Sequence, residues 1–355
     1  MSGIRTKEVL LFFFILAVAA CLRLSGINYG LPYGLYPDEF FSQAGNFLVF
    51  LRSISLFFGI GCIVLVYLIG SLYTRGAGLL SSAFLATSFL HIIYSKIFHP
   101  LGIVTFFLLF LTLNYVKKVG IKNNKEKHFL KFLIITILLL FVVKIVLGFL
   151  SLNSGGYSVL LVPYVAIAGG IFFSSIFSKF DNFLDWQKFG CIILFILVIW
   201  LPLKNVLNYN KLIKLPDTRK IATDWILRKT SNQYVIAWDE NSLLLGKRKP
   251  SERKRYVIND KVLSKKTWFT TLRKKADYVV INSYDVEKVM RSSGNKQRKR
   301  FYKKIQSLEP EATFNPYYKD VESRMNKLLI EDLYLPFKTL WQRERFGPLI
   351  KIYKV

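Results

Sequence analysis

Asp38 and Glu39 stand side by side just beyond the first hydrophobic stretch of this chain, within Gly34-Leu35-Tyr36-Pro37-Asp38-Glu39. Glu8 is the only other acidic residue before position 110. An ionisable group at or inside a membrane edge is a functional hypothesis in itself. Partial desolvation raises a carboxylate's pKa, and a carboxylate tuned in this way can take a proton from a hydroxyl. The plainer reading is that Pro-Asp-Glu opens a solvated turn or caps a short helix.

Several hydrophobic segments must position that pair. The chain has 355 residues, 52 % of them hydrophobic, and the apolar runs fill residues 9–206 while charge gathers after them. Segments near the ~20 residues needed to cross the hydrocarbon core are Val9–Leu24, Leu56–Tyr73, Gly78–Tyr94, Leu101–Val116, Phe129–Leu150, Tyr157–Phe177 and Phe189–Leu207. The expectation is therefore a polytopic α-helical membrane protein with about seven spans. Short-loop Lys and Arg set the orientation. Lys117, Lys118, Lys122, Lys125 and Lys127 crowd one connection, and Ser151–Gly156 on the other side carries none. The bias puts the N-terminus inside. Seven spans then place Asp38, Glu39 and the C-terminal part outside the cytoplasm; six would reverse the last statement.

Cys21, Cys62 and Cys191 all fall within expected spans, so the soluble part has no disulfide framework. Val18-Ala19-Ala20-Cys21 loosely resembles a lipoprotein cleavage site, but the six spans downstream favour an uncleaved anchor. The larger part of the +28 formal charge lies after Lys204, notably in 247–255 and 296–304. Outside the cytoplasm such runs would meet anionic headgroups or glycan phosphates rather than nucleic acid. Their bland reading is solvated loops.

Residues 207–355 read as a small soluble α/β domain following a transmembrane domain over 1–206. Asp217 suits the N-cap of a helix over Thr218–Lys229. Tyr234–Trp238, Tyr256–Ile258, Tyr278–Ile281 and Leu349–Tyr353 have the composition of strands, with helices over Val286–Arg291 and Arg298–Ser307. This part has no Gly-rich phosphate loop, nucleophile elbow or His/Cys cluster, and is read as non-catalytic.

Several stretches, taken in order, resemble the GT-C superfamily of polytopic glycosyltransferases. The likeness is to the family 39-like enzymes related to protein O-mannosyltransferases and aminoarabinose transferases. They are Arg23-Leu24-Ser25-Gly26, Gly30-Leu31-Pro32 before Pro37-Asp38-Glu39, Arg52–Gly59, Ala83–Lys96 and Tyr157–Pro163. Asp217-Thr218-Arg219 with Trp225-Ile226, Ala276–Ser283 and Phe346–Tyr353 follow in the soluble part. The resemblance implies a membrane glycosyltransferase that passes a sugar from a polyprenyl-phosphate carrier to a protein, lipid or glycan acceptor. It implies an integral protein of the plasma (inner) membrane with an extracytoplasmic C-terminal domain. Its partners would be lipids and the lipid-linked sugar, with no nucleic acid.

Carried over, the general base is Asp38, with Glu39 as neighbour or substitute. The departing lipid phosphate calls for cations, and Arg52, Lys96, His99 and Lys144 are the candidates. Lys144 lies about fifteen residues into its span, ~22 Å from the inner end, where plain snorkelling is the competing reading. Arg23 reads as a helix anchor. No cofactor is expected, and a divalent metal would have only Asp38 and Glu39 to bind it.

The chain departs from the family pattern at three places. Asp38 and Arg52 are only fourteen residues apart, Leu101 stands where an acidic residue is usual, and several spans usual between Lys118 and Phe129 are absent. The alternative reading is thus a catalytically degenerate relative that binds lipid-linked glycan or a partner protein.

Overall fold

The computed structural model describes residues 2–29, 47–119, 154–180, 183–229, 234–239, 242–244, 255–258, 276–291, 296–318 and 340–355. The chain divides into two compact units, Met1–Asn210 and Lys211–Val355.

The first unit is helical: α1 (Ser2–Leu24), α2 (Phe47–Ser71), α3 (Arg75–Thr87), α4 (Phe89–Lys96), α5 (Pro100–Val119), α6 (Ser154–Phe177) and α7 (Asp185–Leu212), which runs two residues into the second. Four of these, α2, α5, α6 and α7, are long and apolar enough to cross a membrane. The bent pair α3–α4 makes a fifth if counted as one span. The unit is thus consistent with a membrane-inserted helical protein. The expected span Phe129–Leu150, and Lys144 with it, lies outside the described residues. α1 covers the expected first span but carries Lys7, Glu8 and Arg23.

Small and branched side chains fill the centre: Ala19 from α1, Cys62, Val66 and Ile69 from α2, Ala77 and Leu85 from α3, Leu109 from α5 and Ile167 from α6. α7 contrasts with them. Phe189, Ile192, Leu194, Ile196 and Trp200 are all exposed around it, as an apolar helix is when lipid is its solvent.

The expected span Gly78–Tyr94 is not one helix. It breaks at Ser88, whose backbone is extended (φ −63°, ψ 118°), and α3 and α4 diverge by 61°. No Pro or Gly causes this. The carbonyls released at the end of α3 are met from elsewhere in the unit, by Arg23.

The second unit is a five-stranded sheet between helices. β1 (Ile236–Asp239), β2 (Arg255–Ile258), β3 (Tyr278–Asn282), β4 (Ala312–Phe314) and β5 (Ile350–Lys354) lie in the order β2-β1-β3-β5-β4. β1 is parallel to β2 and β3, whereas β5 is antiparallel to β3 and β4. α8 (Thr218–Lys229) packs Ala222 and Ile226 on one face, with Tyr278 and Val280. α9 (Ser283–Arg291) and α10 (Lys296–Gln306) pack Val286, Val289, Phe301 and Ile305 on the other, with Val279 and Ile281. Burial on both faces is why β3 reads as an unbroken apolar run.

The helix expected over Thr218–Lys229 forms over those residues. Asp217 caps it, its Oδ1 accepting the Arg219 amide at 2.8 Å while the carboxylate also pairs with the Arg219 guanidinium at 2.9 Å. The same turn grips the end of the chain. Thr218 donates its amide to Phe346 O and its hydroxyl to Pro348 O, at 3.0 and 2.7 Å. Gly347 between them has φ +105°, and a Cβ there would lie 2.6 Å from Asp217 Oδ1. Only glycine takes that conformation readily.

Candidate functional site

Three buried cations from three helices converge on the last turn of α1 and the segment leaving it. Arg23, near the end of α1, donates to Ala19 O (3.1 Å), Ala86 O (3.2 Å) and Leu85 O (3.3 Å), and meets His91 Nδ1 at 2.8 Å. The guanidinium therefore caps the carbonyl end of α3, where the helix dipole is negative, and stabilises the break at Ser88. It is an internal tie and not the helix anchor that its place in the sequence suggests.

Arg52, on the second turn of α2, is buried and donates from Nη1 to Ile27 O (2.5 Å) and Tyr29 O (2.9 Å). Lys96, the last residue of α4, is buried and donates to Ser25 O at 2.7 Å and to Asn210 Oδ1. Its ammonium also lies 5.6 Å from the centre of the Tyr209 ring. Asn210 returns a hydrogen bond to Leu22 O (3.1 Å). α2 and α4 approach closely beside Lys96, at Gly59 and Ser95, because Gly59 has no side chain. A Cβ there would come within 2.8 Å of Ser95 Cβ.

The expected cations thus divide. Arg52 and Lys96 are brought to one short segment, Ser25–Tyr29, which precedes Asp38 and Glu39 in the sequence. His99 does its visible work at the start of α5. Its Nδ1 accepts the Leu101 amide at 3.1 Å, opening α5, and its ring stands edge-on to Tyr94 at 5.4 Å. Asp38, Glu39 and Lys144 lie outside the described residues. Among the described residues, Ser55 Oγ is buried without a hydrogen-bond partner, one turn from Arg52 on α2. Nor do any three His, Cys, Asp or Glu among them cluster as metal ligands.

Sequence reasoning missed Arg23, His91 and Asn210. The signal lay in the polar residues themselves, since a buried charge in a bundle requires partners.

The second unit holds a polar network at the carboxyl ends of β1 and β3. Asp239 closes β1 and is fully buried. It accepts the Tyr302 hydroxyl at 2.6 Å and the Asn282 amide at 3.3 Å, with Arg298 4.0 Å away. Asn282 donates to Ser242 Oγ (2.9 Å) and Asp285 Oδ2 (2.6 Å), and its Oδ1 caps α9 through the amides of Tyr284 and Asp285. Desolvation, reinforced by the Asp285 charge, pushes the Asp239 carboxyl up to about 8 against the pull of Tyr302, Asn282 and Arg298. Burial, then the adjoining Asp239, pushes the Tyr302 phenol up as well. These hydrogen bonds make the network a structural clasp of β1, β3 and α10.

No family model, curated protein or solved structure matches the chain.

Proposed function

We propose that the chain is a membrane glycosyltransferase of the GT-C kind, moving a sugar from a polyprenyl-phosphate carrier to an acceptor at the extracytoplasmic face of the plasma membrane. The observation that carries this reading is the pairing of Arg52 and Lys96 on Ser25–Tyr29. Two cations from separate helices hold the segment that precedes the Asp38-Glu39 pair in the sequence. A lipid phosphate arriving beside this segment would meet both side chains. Backbone carbonyls are neutral acceptors, so the positive field outlasts these bonds and can stabilise charge growing on a leaving phosphate. The unpartnered Ser55 hydroxyl beside Arg52 supplies a further polar contact.

On this reading Asp38 takes the proton from the acceptor hydroxyl as that oxygen attacks the anomeric carbon, and the bond to the lipid phosphate breaks on the opposite face. Glu39 raises the proton affinity of Asp38 by like-charge repulsion. Arg52 and Lys96 act as positioning groups and as the source of the field, His99 as a support for the start of α5, and Lys144 as a further cation near the donor.

A second reading is a relative without transferase activity that only binds lipid-linked glycan. The short connection between Asp38 and Arg52, fourteen residues, favours it. Release of free polyprenyl phosphate separates the two. Full-length protein in lipid nanodiscs should liberate it from at least one member of a panel of polyprenyl-phosphate sugars. Binding of such a lipid with no release would establish the second reading.

A further inference from the structure

α10 is the most basic helix among the described residues and turns most of its charge away from the protein. In eleven residues it carries Lys296, Arg298, Lys299, Arg300, Lys303 and Lys304, and no acid. Phe301, Tyr302 and Ile305 are buried against the sheet. Lys296, Arg300 and Lys303 are exposed, and their spacing of four and then three residues places them on one face, with Lys299 half-buried beside them. Arg298 turns inward to the Tyr302 hydroxyl.

This arrangement opposes the helix. Lys296 and Arg300, Lys299 and Lys303, and Arg300 and Lys304 are like-charge pairs four residues apart, each destabilising. The flanking helices of the unit each place at least one base against an acid: Arg219 with Asp217 and Lys229 with Glu311 on α8, and Arg291 with Glu287 on α9. Among the described residues no carboxylate pairs with Lys296, Lys299, Arg300 or Lys303. A row of repelling bases kept on a well-packed helix points to an anionic partner outside the chain.

We propose that this face of α10 binds the anionic phospholipid surface of the membrane. The chain enters the second unit at Lys211 directly from α7, an apolar helix of 28 residues. That covalent tether keeps the unit at high effective concentration beside any bilayer holding α7. Each Lys or Arg near an anionic headgroup layer adds attraction, which falls away within a Debye length. The inference depends on neither the transfer reaction nor the side of the membrane on which the unit lies.

The test is amine acetylation of full-length protein in nanodiscs of phosphatidylcholine alone or with phosphatidylglycerol. Lys299 and Lys303 are read against exposed Lys220, which lies on α8 across the sheet. In phosphatidylglycerol discs their relative reactivity should fall about tenfold, and 0.5 M salt should restore it. K296Q/R300Q/K303Q keeps good helix formers and relieves the repulsion, and in it Lys299 should lose its lipid-dependent protection. Equal reactivity in both lipids would overturn the proposal. So would protection that appears only on adding a soluble phosphorylated glycan or nucleic acid.

Discussion

Arg23 occupies a position where a lipid-facing helix would carry leucine, and its guanidinium instead serves two carbonyls of α3 and the ring of His91. Arg23→Met keeps most of the side-chain volume and removes every donor. Buried acceptors left unmet cost about 1–3 kcal/mol each, so a loss on the order of 3 kcal/mol should lower the thermal midpoint of the detergent-solubilised protein, with Arg23→Lys intermediate. Asp239 yields a prediction of opposite character. Its carboxyl is raised to about 8 in the folded unit, so between the unfolded value near 4 and 8 the folded state holds a proton that the unfolded chain has lost. Stability from this group is therefore complete below about pH 4 and declines as pH rises towards 8. Denaturant unfolding followed by the fluorescence of Trp225 and Trp238 should show the second unit weakening by on the order of 2 kcal/mol from pH 6 to 8. Asp239→Asn should flatten that slope, and an unchanged slope would assign the pH dependence to another group. Neither residue's role was legible in the sequence. Arg23 has partners more than sixty positions away, and Asp239 meets Asn282 and Tyr302 only once the sheet has formed.

At the scale of elements, local chemistry was readable and long-range chemistry was not. Asp217 announces α8 because a cap and the amide it receives are two residues apart. The continuous apolar run of β3 declares burial on both faces. β4 covers three residues with no alternation to mark it, and exists because β5 offers it an edge. The break between α3 and α4 has no marker in Ala83–Ser95, since its stabilising group sits on α1. Gly347 ties the two ends of the second unit, where Asp217-Thr218-Arg219 and Phe346-Gly347-Pro348 meet. Gly347→Ala would force a Cβ into a left-handed backbone and against Asp217 and Thr218. The conformational penalty alone is roughly 1–2 kcal/mol. With the clash, α8 and β5 should loosen together, read as faster amide exchange at residues 218–226 and 350–353 than in Gly347→Asn, which tolerates that conformation better.

Across the whole molecule, the helical unit supplies buried cations and the α/β unit a clasped sheet with a basic outer helix. Hydropathy gave about seven spans; among the described residues four helices are long and apolar enough to cross a membrane, or five with the bent pair, and Phe129–Leu150 lies outside them. Which side of the membrane receives the second unit depends on the parity of the full count, and that is carried by the proposal. So is the chemistry of Asp38. Comparison of wild-type protein with Asp38→Asn in nanodiscs, supplied with a turned-over polyprenyl-phosphate sugar and an acceptor, tests the central claim most directly. The account predicts that the variant inserts and binds the lipid normally but transfers at least a hundredfold more slowly, as expected on losing a general base. Transfer by Asp38→Asn at the wild-type rate would contradict it.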